Sequence, residues 1–152
     1  MFKSDLILIA NPGRPDFWFT GAPLIWEDPT GLTITVPEGF RTDMASIPRF
    51  LEAFPDLDID GRSRRPGVLH DWLYGAARWV GKLVADGVLF QALIAEGMDK
   101  KGALAIYQGV HLFGASAWAE DGTESVAGMF RTHDLYLAWL GTHPQLNPTS
   151  AG

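Results

Sequence analysis

The chain has 152 residues, 47% hydrophobic and 20% charged, which is enough for one domain with its own core and too ordinary for a disordered or fibrous protein. A formal net charge of -6 argues against a general nucleic-acid binder, since phosphate neutralisation needs a basic face; only Arg62, Arg64 and Arg65 form a basic run, which offsets Asp56, Asp58 and Asp60 just before it. With no cysteine there is no disulfide framework, thiolate nucleophile or Cys-ligated zinc, and the chain is compatible with a reducing cytoplasm.

In chain order, the first apolar run, Leu6 to Ala10, ends in Asn11-Pro12-Gly13. It is too short for a membrane span and lacks the basic start and cleavage pattern of a signal peptide, so a soluble protein without a transmembrane segment is expected. Strands are predicted there, at Phe17 to Thr20, and at Leu24 to Asp28 joined through Pro29-Thr30-Gly31 to Leu32 to Val36. In the last pair Leu32, Ile34 and Val36 alternate with threonines across a Pro/Gly turn, which is a hairpin pattern. Gly39 to Pro48, GFRTDMASIP, has turn chemistry at both ends and no helical stripe.

From Pro66 the period becomes helical, with Val68, Leu69, Trp72 and Leu73 on one face. A second helix is predicted over Lys82 to Glu96, with Leu83, Gly87, Phe90 and Ile94 on its buried stripe and Gly87 admitting a neighbouring helix closely. A third starts at Asp99 as N-cap and runs to about Trp118, turning Ala103, Ile106, Tyr107, Val110 and Phe113 or Gly114 inward. Thr123 to Leu140 forms a candidate fourth helix interrupted by Gly128. The expected fold is α+β, N-terminal antiparallel β-hairpins followed by a bundle of three to four helices, in one globular domain over residues 1–143 with a flexible tail over 144–152.

Chemistry concentrates around RPGVLHDWLYG, Arg65 to Gly75. Asp86 falls on the predicted buried stripe of the second helix, where an unpaired carboxylate is costly, and His70 on the preceding helix is its natural partner. An aspartate on one imidazole nitrogen fixes the tautomer and leaves the other nitrogen to act on water. A buried His-Asp bond that only ties two helices together fits the spacing equally well. Asp71 points about a quarter-turn away, and as a hard oxygen ligand suits calcium or magnesium.

DLDIDG, Asp56 to Gly61, copies the opening of a calcium loop, but the position of the closing glutamate is Gly67, so a solvated acidic loop is the expected reading. Asp43 and Ser46 are candidates to line the cleft of His70, with Asp43 equally suited to capping a turn and Ser46 lacking a G-x-S-x-G elbow. Tyr74, Tyr107 and His111 are further candidate cleft-lining residues. The second His-Asp pair, His133-Asp134, has no acid partner to nominate and reads as structural or exposed. A metal-dependent phosphohydrolase of the His-Asp type needs a histidine upstream of the pair, and none precedes His70.

VPEGFRTDMASIP, VLHDWLY, ADGVLF and the IYQGVHLFG run, in that order between about Val36 and Gly114, resemble the phage and prophage proteins of domain of unknown function thirteen fifty-three. The resemblance implies a phage or prophage origin, synthesis in the host cytoplasm and, as one destination, the virion. More distantly, HDWLY followed by ADGVLF is similar to the paired-helix core of secreted phospholipase A-two and the related domain of parvovirus capsids. In that family the histidine of H-D-x-x-Y activates water, the adjacent aspartate binds calcium, and the aspartate of the second helix orients the histidine. Carried over, these roles fall on His70, Asp71 and Asp86. The glycine-rich calcium loop of those enzymes has no clear counterpart here, their disulfides cannot form, and the stretch between the helices is shorter.

Two functions follow as expectations. One is a phospholipase-like hydrolase of a lipid or ester, with His70 as base, Asp86 holding it and calcium held partly by Asp71. The other is a virion or tail-associated structural protein in which the cluster is a clamp and Trp18, Trp26, Trp118 and Trp139 serve contacts with phage proteins or a second copy.

Overall fold

The structure is a computed structural model, and it describes residues 1–44 and 61–146. β1 (Leu8–Ala10) pairs antiparallel with β2 (Trp18–Thr20), Leu8 opposite Thr20. The other edge of β2 takes β5 (Arg41–Thr42), with Trp18 opposite Thr42. Between them in sequence, β3 (Leu24–Glu27) and β4 (Thr33–Val36) form the predicted hairpin, Leu24 opposite Val36 and Glu27 opposite Thr33. Asp28 closes its turn by accepting from the backbone N–H groups of Thr30 and Leu32, and Gly31 supplies the left-handed residue at φ 88°.

The two-residue β5 carries no alternating pattern of its own and was not expected. It pairs because Thr20, fully buried, donates its hydroxyl to Pro37 O at 2.7 Å and accepts the Phe40 N–H at 2.9 Å, folding the chain back on β2. Gly39 completes this turn at φ 84°, where a Cβ would also lie 2.5 Å from the Leu135 side chain.

The helices are α1 (Arg64–Gly75), α2 (Lys82–Ala95), α3 (Lys100–Phe113), α4 (Ala115–Asp121) and α5 (His133–Gly141), with 3-10 turns at Arg78–Val80, Val126–Met129 and Pro144–Leu146. The α+β class is as predicted. α1 is the central element: from Pro66 to Gly75 every residue except the half-buried Asp71 is buried. Trp72 stands edge-on to Phe40 (5.1 Å between centroids) and Trp139 (5.4 Å), and the hairpin contributes Leu24, Trp26 and Val36 to the same core. Each such buried side chain contributes about 1.5–3 kcal/mol of transfer free energy. A second apolar cluster joins Leu89 and Leu93 of α2 to Ala103, Ile106 and Val110 of α3.

Three expectations are corrected. The buried face of α2 is Ala85, Asp86, Val88, Leu89, Ala92 and Leu93, whereas Leu83 is 65% and Ile94 39% exposed, and no atom outside the local helix lies within 4 Å of a Cβ placed on Gly87. Apolar residues surround this helix on almost all sides, so their periodicity does not select a face. The third helix stops at Phe113 instead of running to Trp118. A Cβ on Gly114 would meet Val110 O at 2.3 Å and the Tyr74 hydroxyl at 2.9 Å, so the chain bends there, and Phe113 is 73% exposed. Thr123 to Leu140 is not one helix: Thr132 starts α5 by accepting the Leu135 N–H, after a separate 3-10 turn.

Trp26 and Trp139 belong to the core, which removes them from any contact surface. Arg65 forms a two-pronged pair with Glu96 at 2.9 Å, and Arg62 donates to Gly97 O at 3.1 Å at the end of α2. The acidic residues before that basic run, the DLDIDG stretch up to Asp60, Ser46 and residues 147–152 of the tail lie outside the described residues. Among the described residues no helix is long and apolar enough to cross a membrane.

Candidate active site

α1 turns into the Arg78–Val80 segment, and Gly81, at φ 81°, redirects the chain so that α2 packs back on α1. This brings His70 and Asp86 together at the centre of the fold: Nε2 of His70 lies 3.2 Å from Oδ1 of Asp86, and the two side chains are 1% and 0% exposed. The same Oδ1 accepts the Tyr74 hydroxyl at 2.6 Å, one helical turn on from His70. Oδ2 accepts from the Lys82 ammonium at 2.7 Å, one turn before Asp86, and Lys82 also reaches Val110 O at 3.0 Å at the end of α3. A buried carboxylate is tolerable only with such a complement of donors.

The protonation states follow from this arrangement. Burial raises the Asp86 carboxyl, but bonds from His70, Lys82 and Tyr74 more than offset it and hold the group below its ordinary value, so Asp86 is ionised. Burial pulls the His70 imidazole below its ordinary 6.5 against the opposing pull of Asp86, so at neutral pH the ring is uncharged. Burial and the Asp86 carboxylate push the Tyr74 phenol up, so it remains a hydroxyl donor. An ionised carboxylate only accepts; the His70 proton therefore sits on Nε2, and Nδ1 carries the lone pair. Nδ1 is buried and has no hydrogen-bond partner among the described residues.

His70 is also one of the residues lining a cavity of about 400 Å³. Tyr74 and Gly75 of α1, Phe40 and Asp43 beside β5, Val110 near the end of α3 and Asp121 of α4 contribute to its walls. Both ring nitrogens are buried, Nε2 against Asp86, although the residue as a whole borders this cavity.

Asp71 faces elsewhere. Its Oδ2 accepts the hydroxyl of the buried Thr42 and the Met44 N–H at 3.3 Å, tying the GFRTDM loop to α1. Met44 stands at φ 53°, a left-handed conformation costing a β-carbon residue about 1 kcal/mol or more, and this bond helps to hold it. No three carboxylate or imidazole groups among the described residues come together as a metal ligand set, and the oxygen of Asp71 that is placed here serves the loop. The described donors alone therefore do not complete a calcium ligand set.

Asp43 lines the cavity with His70, Asp71 and Tyr74. Tyr107 and His111 are not among its described lining residues: they stack on each other, with 5.7 Å between centroids, and His111 is 3.7 Å from Asp86 Oδ2 on the far side of the carboxylate. Sequence reasoning passed over Lys82, although the spacing Lys82 to Asp86 is that of a helical ion pair, and Thr42, for which no signal exists beyond its nearness to Asp43. It also passed over Glu120 and Asp121, between a helix read to about Trp118 and one read from Thr123, and Glu124 at the start of the latter, all at the cavity wall.

A family model described as "Protein of unknown function (DUF1353)" matches residues 18–110, more than half of the chain and inclusive of His70, Asp71, Tyr74, Lys82 and Asp86. No match is found among curated proteins or among solved structures.

Proposed function

We propose that this chain, which belongs to the DUF1353 family of proteins of unknown function, is a phage- or prophage-encoded hydrolase of ester bonds in which His70 activates water. The observation carrying this reading is that, among the described residues, Nδ1 of the neutral, buried His70 has no hydrogen-bond partner, in a residue that borders a cavity while its Nε2 is held by Asp86. A purely structural histidine gains by bonding both nitrogens, and a buried lone pair without a partner costs about 1–3 kcal/mol.

In the proposed reaction Nδ1 accepts a proton from water as the oxygen forms a bond to the ester carbonyl carbon. Collapse of the tetrahedral adduct breaks the bond to the alkoxy oxygen, which leaves with the proton from Nδ1, so the imidazole ends neutral. Asp86 holds the ring's tautomer and stabilises the transient imidazolium, and Tyr74 and Lys82 hold Asp86 ionised.

Purified protein is assayed for hydrolysis of fluorogenic phospholipid vesicles and of short-chain aryl esters, in calcium and in chelator. His70→Ala is expected to lower turnover about 10²–10⁴-fold, with His70→Asn and a thermal melt reporting on folding. Activity that requires calcium would return Asp71 to the ligand role implied by the phospholipase resemblance. Equal activity of wild type and both variants would refute the assignment.

A second reading, a non-catalytic virion or tail-associated protein, is favoured by one observation. Lys82 bonds both Asp86 and the last carbonyls of α3, so the polar cluster ties three helices together whether or not it turns over a substrate. Absence of any hydrolysis by wild type, with copurification in particles, would select it.

A further inference from the structure

We propose that α2 docks antiparallel on α2 of a second copy of this chain, with Leu83 of each copy facing Ile94 of the other and Phe90 facing Gly87. The proposal is independent of the hydrolase reading, since none of these four residues is among the described lining of the His70 cavity. Spaced four, three and four residues apart, they lie along one side of the helix. The fold leaves that side open. Leu83 is 65% and Ile94 39% exposed, Phe90 is half-buried, and no atom outside the local helix lies within 4 Å of a Cβ on Gly87. Between Lys82 and Glu96 the only charged residue is Asp86, which is 0% exposed. A helix that is apolar on nearly all sides belongs in an enclosed setting, and a single chain encloses this one only in part.

The order of side-chain sizes selects a second copy as the occupant. Read forward the stripe is leucine, glycine, phenylalanine, isoleucine; laid antiparallel on itself, each phenylalanine ring meets the open space at a glycine and each leucine meets an isoleucine. Such self-complementarity is what a two-fold interface requires, with large residues set against small ones. Phe90 and Ile94 also contribute, with Met1 and Pro29, to an apolar cleft of about 250 Å³. In this register Leu83 of the second copy arrives at the Ile94 side of that cleft.

Charge and area agree with the same occupant. Each copy carries a formal net charge of -6, so two copies repel unless they meet on a face without exposed charge, as α2 provides. The antiparallel seat also sets the positive N-terminal end of one α2 beside the negative C-terminal end of the other. With its 14 residues α2 is about 21 Å long. Together with the adjoining side of α3, which carries the 41%-exposed Leu104 and a Tyr107 ring 6.0 Å from Phe90, it presents about 400 Å² per copy. That is roughly half of the 800 Å² per partner of a standard stable complex, so the dimer is a weak one, with a dissociation constant on the order of 10–100 μM.

Sedimentation velocity of the full chain, across concentrations bracketing that range, is expected to show a monomer–dimer equilibrium. Leu83→Glu, which places a charge against Ile94, and Gly87→Leu, which fills the space taken by Phe90, should each weaken dimerisation by about tenfold or more. Gly87→Leu should also raise the melting temperature of the monomer, because it removes a glycine from a helix interior without a clash. The natural chain has no cysteine, so the register can be read by oxidation in air. Leu83→Cys mixed with Ile94→Cys should give a disulfide-linked dimer, whereas Leu83→Cys alone should not, its two thiols lying about 16 Å apart along the helices. A dimer that neither substitution weakens, or Leu83→Cys linking to itself, would overturn the proposal. So would a wild type that stays monomeric; if that monomer sediments with phosphatidylcholine vesicles and Leu83→Glu does not, the face belongs to a lipid surface.

Discussion

The dipeptide His-Asp occurs twice in helices of this chain, and its two settings are opposites. His70-Asp71 lies in the middle of α1, the most enclosed helix, where the imidazole meets Asp86 and the carboxylate meets Thr42 and Met44. His133-Asp134 opens α5, where both residues are exposed, Asp134 sits in the first turn and the His133 ring only leans on Tyr136 at 5.7 Å. The difference lies in what the fold brings opposite each pair. A carboxylate facing the N-terminal end of a helix gains a few tenths to 1 kcal/mol from the dipole and can be lost cheaply. A carboxylate enclosed with an ammonium, a phenol and an imidazole organises all three.

The sharpest test of that contrast is deletion of one carboxylate from each setting. Asp86→Ala leaves Lys82, Tyr74 and His70 facing an uncompensated interior and is expected to cost about 3–5 kcal/mol in urea denaturation. Asp134→Ala is expected to cost less than about 1 kcal/mol. Comparable losses for the two would show that the Asp86 cluster is not the polar centre of the fold.

The next effect is one of pH. The folded His70 stays neutral below the 6.5 at which an unfolded histidine takes up its proton, because burial penalises the imidazolium more than Asp86 favours it. The unfolded chain therefore binds a proton that the folded chain refuses. His70 imposes no penalty well above 6.5, and stability falls as pH drops through that value, by at most about 1.4 kcal/mol per pH unit, until the folded ring itself protonates. Asp86 acts in a separate window: its contribution is present above 3.8 and is lost only as pH falls through its lower folded value. Between pH 8 and 5 the slope of stability should flatten in His70→Gln relative to wild type, as measured by denaturation at each pH. A wild-type slope in His70→Gln would mean that some other group titrates.

How far the sequence discloses this arrangement depends on the kind of signal. The β3-β4 hairpin was legible because alternation and turn residues are local, and the Asp99 cap of α3 because capping is local too. The meeting of His70 with Asp86 was legible for a different reason: an acid among apolar residues must find a partner, whichever face is buried. That requirement survived a mistaken face for α2, whose apolar residues leave the periodicity undecided. What escaped was set by contacts distant in sequence. β5 exists because Thr20 folds the chain back, Asp71 serves the loop of Thr42 and Met44, and Glu120, Asp121 and Glu124 reach the cavity wall in and after a separate helix that follows the end of α3.

The smallest prediction concerns what the second pair does contribute. α5 is held at its start by Thr132, whose hydroxyl accepts the Leu135 N–H at 3.2 Å, and Leu135 in turn covers Gly39, at whose position a Cβ would lie 2.5 Å from its Cδ1. Arg131 N–H bonds Gly39 O at 2.8 Å on the same approach, so the first turn of α5 is fastened to the loop that leads into β5. Thr132→Ala should therefore cost about 1 kcal/mol, while His133→Ala, which removes an exposed ring, should stay within about 0.5 kcal/mol. The two midpoints in urea decide it. A larger loss for His133→Ala than for Thr132→Ala would mean that the ring's contact with Tyr136 holds α5 in place, because Tyr136 packs on Phe130 and Trp139 at the edge of the main core.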